Sequence, residues 1–145
     1  SLLQQLSFSG ATLLANVVDS LADGSAHAVP QTGEVTVAPK LALDDGRIDW
    51  SAPAQAVHNR IRGVTPEPGA STSIGGSRLK VLEAAIARDT ATLAPGHFDC
   101  VGKRVLVGTA TDPLELLRVH PEGRKAMDAA AWWRGLNSES EVVAS

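Results

Sequence analysis

Tyrosine is absent from this 145-residue chain, and only five aromatic residues occur: Phe8, Trp50, Phe98, Trp132 and Trp133. Binding single-stranded bases on an exposed sheet takes aromatic platforms interleaved with basic groups, and no such interleaving is present. Cysteine is nearly absent too. Cys100 stands alone, which excludes an internal disulfide framework and a cysteine-cluster zinc site, and suits a reducing compartment. The uninterrupted apolar runs are short, as in Val105-Leu106-Val107, which excludes a transmembrane helix. Residues 1–24 hold no basic group ahead of an apolar stretch and do not read as a secretory signal. His27, His58, His97 and His120 fit no HxxxH or HExxH spacing and read as surface or packing residues.

What remains is an ordinary globular composition, 43% hydrophobic and 20% charged, in about one domain's length of chain. At that size folding hides roughly 70% of the extended chain's surface, so the core needs no staples. Charge is unevenly spread. Residues 1–46 carry Lys40 against five acids, whereas residues 47–145 carry twelve basic groups against eleven acids. The overall net charge of −3 therefore does not exclude a nucleic-acid partner, nor does charge establish one. The chain opens at Ser1 inside an apolar helical pattern (Leu2, Leu3, Leu6) and is expected to be a piece of a longer protein.

Leu13, Leu14, Val17, Val18 and Leu21 recur on one helix face, with Ser9 available as N-cap and Gly24 as stop. That face needs a partner. Residues 25–40 hold two prolines and no helical period, so they read as an extended linker with a short strand at Glu34–Val37. The front helix is thus expected to pack on a domain outside this sequence.

A second unit begins near Leu41. Ser51-Ala52-Pro53 opens a helix over 52–63, the hydroxyl as cap and the proline in the first turn. Ala54, Val57, Ile61 and Val64 mark its buried face; Gln55, His58, Asn59, Arg60 and Arg62 mark its wet face. Beyond Pro66 and Pro68 the pattern turns to β. Gly75-Gly76-Ser77 predicts a hairpin between strands 71–74 and 78–84. Further strands are expected at 97–100, 105–108 and 114–119, with Val101–Arg104 as a turn, and Asp128 capping a closing helix over 129–134. The fold class is α+β, mainly β with helices: a small barrel preceded by a helical segment, with residues 137–145 as a frayed tail.

Three apparent motifs fail on spacing. Five residues, not four, separate Gly96 from Gly102-Lys103, and Arg104 stands where a phosphate loop needs Ser or Thr. Asp44-Asp45-Gly46 lacks the alternating acids of a calcium loop. No basic or histidine partner is locally assured for Cys100, which reads as a small buried hydrophobe. The basic pairs carry more. Lys103-Arg104 and Arg124-Lys125 sit on expected turns, and Arg60 and Arg62 on the exposed helix face. Turns are where such residues meet water in any protein. The functional alternative is a diffuse surface contacting the phosphates of duplex or structured RNA.

Five segments are more specific. They are Ala38-Pro39-Lys40-Leu41, Gly46-Arg47-Ile48-Asp49-Trp50-Ser51, His58-Asn59-Arg60-Ile61-Arg62-Gly63-Val64-Thr65-Pro66, Pro68-Gly69-Ala70 and Gly123-Arg124-Lys125-Ala126-Met127-Asp128-Ala129. In order and spacing the chain resembles the methionyl-tRNA formyltransferase family over almost all of residues 1–136. The resemblance implies that residues 1–24 are the last helices of a Rossmann-like N-terminal catalytic domain. It makes 25–40 the interdomain linker and 41–136 an OB-like C-terminal barrel domain. The implied activity is formyl transfer from 10-formyltetrahydrofolate to the amino group of methionyl-initiator-tRNA, in the cytoplasm, by a monomer. The family's catalytic Asn, His and Asp match nothing here, so no catalytic, cofactor-binding or metal residue is assigned. The implied partners are initiator methionyl-tRNA and the N-terminal catalytic domain. The matching tRNA-contacting positions are Lys40, Arg60, Arg62, Arg124 and Lys125; Lys103 and Arg104 are added on charge alone.

Two departures stand out. Ser71 replaces the aromatic the family usually has after Pro-Gly-Ala, and Glu67 adds a negative charge near the expected surface. Other readings are the accessory domain of a sugar-nucleotide formyltransferase or formyltetrahydrofolate hydrolase, and a non-enzymatic docking module. The 61–66 string and the late Gly-Arg-Lys loop favour the tRNA member.

Overall fold

The structure is a computed structural model in which residues 2–136 and 142–144 are described. The chain divides into two compact units, Ser1–Ala38 and Pro39–Ser145. In the first, helix α1 (Leu2–Ala22) buries no residue. It starts well before Ser9, because Leu2, Leu3 and Leu6 continue the same period. Ser9 is therefore no cap; its hydroxyl donates back to the Leu6 carbonyl, 3.4 Å away. The helix stops ahead of Gly24, which takes φ +78°. No strand forms at Glu34–Val37. Val35 and Val37 are 92% and 82% exposed, so their alternation finds no surface to bury against.

In the second unit a single 3₁₀ turn (Leu43–Gly46) leads to helix α2 (Ala54–Val64). Ala54, Val57, Ile61 and Val64 are all buried, as their spacing requires. The expected cap is different. Ser51 turns back onto Asp49, its hydroxyl donating at 2.6 Å, and Pro53 occupies the N-cap position. The first helical N–H, of Ala54, instead donates to the Thr111 hydroxyl at 3.0 Å, a cap delivered from 57 residues away.

Six strands follow: β1 (Ala70–Ile74), β2 (Ser77–Ile86), β3 (Phe98–Val101), β4 (Arg104–Val107), β5 (Leu114–Pro121) and β6 (Met127–Asp128). They form one antiparallel sheet ordered β1-β2-β5-β4-β3, with β6 pairing β5. Gly75 and Gly76, at φ +54° and +81°, make the two-residue turn between β1 and β2. Helix α3 (Ala129–Arg134) packs on β5 and β4, and α2 on β2 and β1. Asp128 sits at the N-cap of α3 with extended backbone, but its carboxylate makes no capping bond.

The sheet curls around one core. Val81, Val105, Val107, Leu114 and Val119 are fully enclosed. Four of the five aromatics are spent there. Phe98 is their hub, 6.4 Å from Trp50, 5.9 Å from Trp132 and 6.1 Å from Trp133 between ring centroids. Such pairs add about 0.5–1.5 kcal/mol each beyond area burial. The Trp50 indole N–H is satisfied by the Thr72 hydroxyl at 3.0 Å.

Fraying does not extend to residues 142–144; residues 137–141 and 145 lie outside the described residues. Val143 bridges His97, and Ala144 bridges Ile74 on β1. The Phe98 amide donates to Val142, and the Ala144 amide to Gly96, both at 2.9 Å. This short segment thus links the two edges of the curled sheet, satisfying backbone groups that an edge would leave open. Among the described residues no helix is long and apolar enough to cross a membrane.

Candidate functional site

The basic residues divide into two groups once the sheet is formed. On β2, Leu79 and Val81 point to the core, so Arg78 and Lys80 face outward. Lys80 lies opposite His120 on β5 and Ser71 on β1; Arg78 lies opposite Ser73. Arg47 bridges Ser71 and so continues the row past β1. At the other end the His120 ring nitrogen lies 2.7 Å from the Arg124 carbonyl. Arg78 is shared by three surface hollows: one with Arg47, one with Lys80 and His120, one with Arg124. Arg47, Arg78, Lys80, His120 and Arg124 therefore lie along one strip, with Lys125 exposed beside it.

Arg60 adjoins the strip through backbone. Its guanidinium donates to the Asp45 carbonyl at 2.9 Å, the next residue Gly46 packs against the Gly69 carbonyl, and the Lys80 ammonium donates to Pro68 at 3.2 Å. Arg62 lies on the same helix but donates to Asn59 at 3.1 Å. Lys40 is exposed at the start of the second unit.

Arg104 leaves the set. Its Nε donates to Glu115 at 2.7 Å and its two terminal nitrogens to Asp89 at 2.9 and 3.1 Å. All faces of the guanidinium fork that could seize a phosphate already hold carboxylates. These bonds, to Asp89 first and Glu115 second, push the guanidinium further toward its charged form, and they lower the Asp89 pKa. Lys103 is exposed in the turn between β3 and β4, two strands away from β2. Charge on a turn does not distinguish Arg104 from Arg124; the carboxylates of Asp89 and Glu115 do.

Sequence reasoning missed Arg47, Arg78, Lys80 and His120. The alternation of β2 carried the signal for Arg78 and Lys80, since both fall on its polar positions. Ser71, where the sequence departs from the family pattern, lies opposite Lys80 and is buried, with Arg47 bridging it on the other side. Acids interrupt the strip at Asp44 and Glu122. His58 is not fully on the wet face: it is half-buried, and its Nδ1 is enclosed without a hydrogen-bond partner. Cys100 is half-buried rather than enclosed, its thiol 3.7 Å from the Gly102 carbonyl.

What this arrangement can do is hold a polyanion by several dispersed contacts. Residues 40–137 match the family model described as formyl transferase, C-terminal domain. The chain is 54% identical over 136 residues to the methionyl-tRNA formyltransferase of Clavibacter michiganensis subsp. michiganensis, covering 94% of this chain and 45% of that protein. It is 53% identical over 142 residues to that of an Arthrobacter species, covering 98% and 46%. The chain thus spans about half the length of these curated relatives. Among solved structures, a variant of HypX from Aquifex aeolicus aligns with a TM-score of 0.67 at 18% identity, over 83% of this chain and 22% of that one. HypX in complex with tetrahydrofolic acid aligns at 0.64 and 18%, over 79% and 21%. At that identity the likeness concerns the fold alone. The matched sequence, spanning the whole curled sheet and both of its helices, shows that this chain belongs to the formyl transferase C-terminal domain family.

Proposed function

We propose that this chain is the C-terminal part of a methionyl-tRNA formyltransferase and serves as its tRNA-holding domain. The whole enzyme moves a formyl group from 10-formyltetrahydrofolate to the amino group of methionyl-initiator-tRNA, a step of translation initiation in the cytoplasm. The curled sheet is read as an OB-like barrel whose outward β1–β2–β5 face contacts the sugar-phosphate backbone. The observation that carries this is the gathering of Arg47, Arg78, Lys80, His120 and Arg124 on one side of the sheet, where Asp44 and Glu122 are the acids among them. Phosphate contacts made away from the reacting amine supply affinity and orientation for a reaction performed elsewhere in the protein.

The test is fluorescence titration with initiator tRNA at two salt concentrations. Binding is expected to be measurable at low salt and to weaken as salt rises. Arg78→Ala with Arg124→Ala is expected to lower the affinity at low salt. Undetectable binding of the unaltered chain at low salt, or an unaffected double variant, rejects the reading.

A further inference from the structure

A cavity of about 270 Å³ opens at the end of the basic strip, between the β1–β2 turn, the loop after β5 and helix α3. Leu79 and Trp132, both buried, make its floor with the half-buried Ile74. Arg78, Arg124 and the exposed Glu122 stand at its rim. We infer that this cavity receives one unstacked nucleotide of the bound RNA, its base on the apolar floor and its phosphate at Arg78 and Arg124. This deepens the tRNA-holding reading and rests on it.

Three features select that occupant. The volume lies just below the roughly 300–1,000 Å³ of ordinary small-molecule sites, enough for one ring system and its substituents. A floor of aliphatic and indole carbon matches the face of a base, while the two guanidinium groups match a phosphate. Glu122 adds selectivity. One of its carboxylate oxygens accepts the Arg78 amide at 3.1 Å, which fixes the side chain and leaves the second oxygen to accept from a base. A carboxylate repels a second anion but accepts N–H donors, so bases with a donor edge, guanine above all, fit better than uracil. Duplex backbone offers the strip phosphates and offers the cavity nothing, so a folded RNA with extruded residues is the better ligand.

The experiment uses the full chain. Ser77, exposed at the start of β2, lines the mouth opposite its cross-strand partner Ile74, and Ser77→Phe fills the mouth while leaving Leu79 and Trp132 in place. Ser77→Phe is expected to weaken initiator tRNA about tenfold, the contribution of one stacked base. Its affinity for a plain RNA duplex of equal length is expected to be unchanged. Guanosine monophosphate is expected to shift the Trp132 indole N–H resonance of the unaltered chain, and inorganic phosphate is not. Glu122→Gln retains an acceptor for the Arg78 amide and guards against misfolding of the first variant; it is expected to narrow the preference for guanosine over uridine monophosphate. Tight tRNA binding indifferent to Ser77→Phe, equal weakening of tRNA and duplex, or an indole shift matched by phosphate overturns the cavity and leaves the strip. Failure of the unaltered chain to bind tRNA removes both.

Discussion

Arg78 and Glu122 hold each other through the backbone rather than as an ion pair. The Glu122 amide donates to the Arg78 carbonyl at 3.0 Å, and the Arg78 amide donates to the Glu122 carboxylate at 3.1 Å. Among the described residues the ion pairs belong to Arg104, so the Arg78 guanidinium keeps its charge available at the centre of the basic strip. The consequence is a contrast between two arginines of equal formal charge. Arg78→Ala is expected to flatten the dependence of log affinity on log salt by about 0.7–0.9 for each phosphate it no longer neutralises. Arg104→Ala is expected to leave that slope alone. Titrations of initiator tRNA across a salt series with both variants decide it.

Arg104 should instead appear in stability. Its hydrogen bonds hold the Asp89 carboxyl below its ordinary range. Folding therefore favours the ionised carboxylate, and the stabilisation is fully present above the unfolded pKa of about 4. It is lost as pH falls through the lower, folded value. Asp89 is 71% exposed, so the effect is modest. Arg104→Met is expected to lower Tm at pH 7, and the gap to the unaltered protein should close as pH is lowered beneath 4. A gap that widens on acidification contradicts the assignment.

The elements with a strict period were legible in the sequence. Ala54, Val57, Ile61 and Val64 announced α2, and Gly75-Gly76 announced the first hairpin. The five resembling segments also fall on the matched family region or its edge. What could not be read was decided across the sheet. Arg104 and Arg124 each sit in a basic pair at a turn, and only the pairing of β4 with β5 brings Glu115 to one of them. Residues 142–144 look like a loose end in sequence, because their partners, Ile74 and His97, come from opposite edges. Ser51 has the right chemistry for a cap, but Asp49 is two residues away and captures it first.

Thr111 is the cap that replaced it. Its hydroxyl oxygen accepts the first helical amide of α2, a donor with no intrahelical partner. Thr111→Val keeps the shape and removes the acceptor, and is expected to cost about 1 kcal/mol in chemical denaturation. Ser51→Ala, which removes no cap from α2, is expected to cost less. Equal losses in the two variants would return the capping role to Ser51.

Gly96 joins the closing segment to the rest of the sheet. It has φ +78°, and a Cβ built there would lie 3.2 Å from the Ala144 carbonyl oxygen. Two penalties are thus combined in Gly96→Ala: left-handed backbone, roughly 1–2 kcal/mol, and displacement of residues 142–144. Gly102 separates them. It has φ +67° with nothing within 4 Å of its built Cβ, so Gly102→Ala carries only the first. Gly96→Ala is expected to destabilise more and to speed hydrogen exchange at the amides of Phe98 and Ala144, which the closing bonds protect. Deleting residues 142–145 should shrink the excess cost of Gly96→Ala toward that of Gly102→Ala, since coupled sites fail to add. Additive costs in the double variant would mean that the segment does not close the sheet through Gly96.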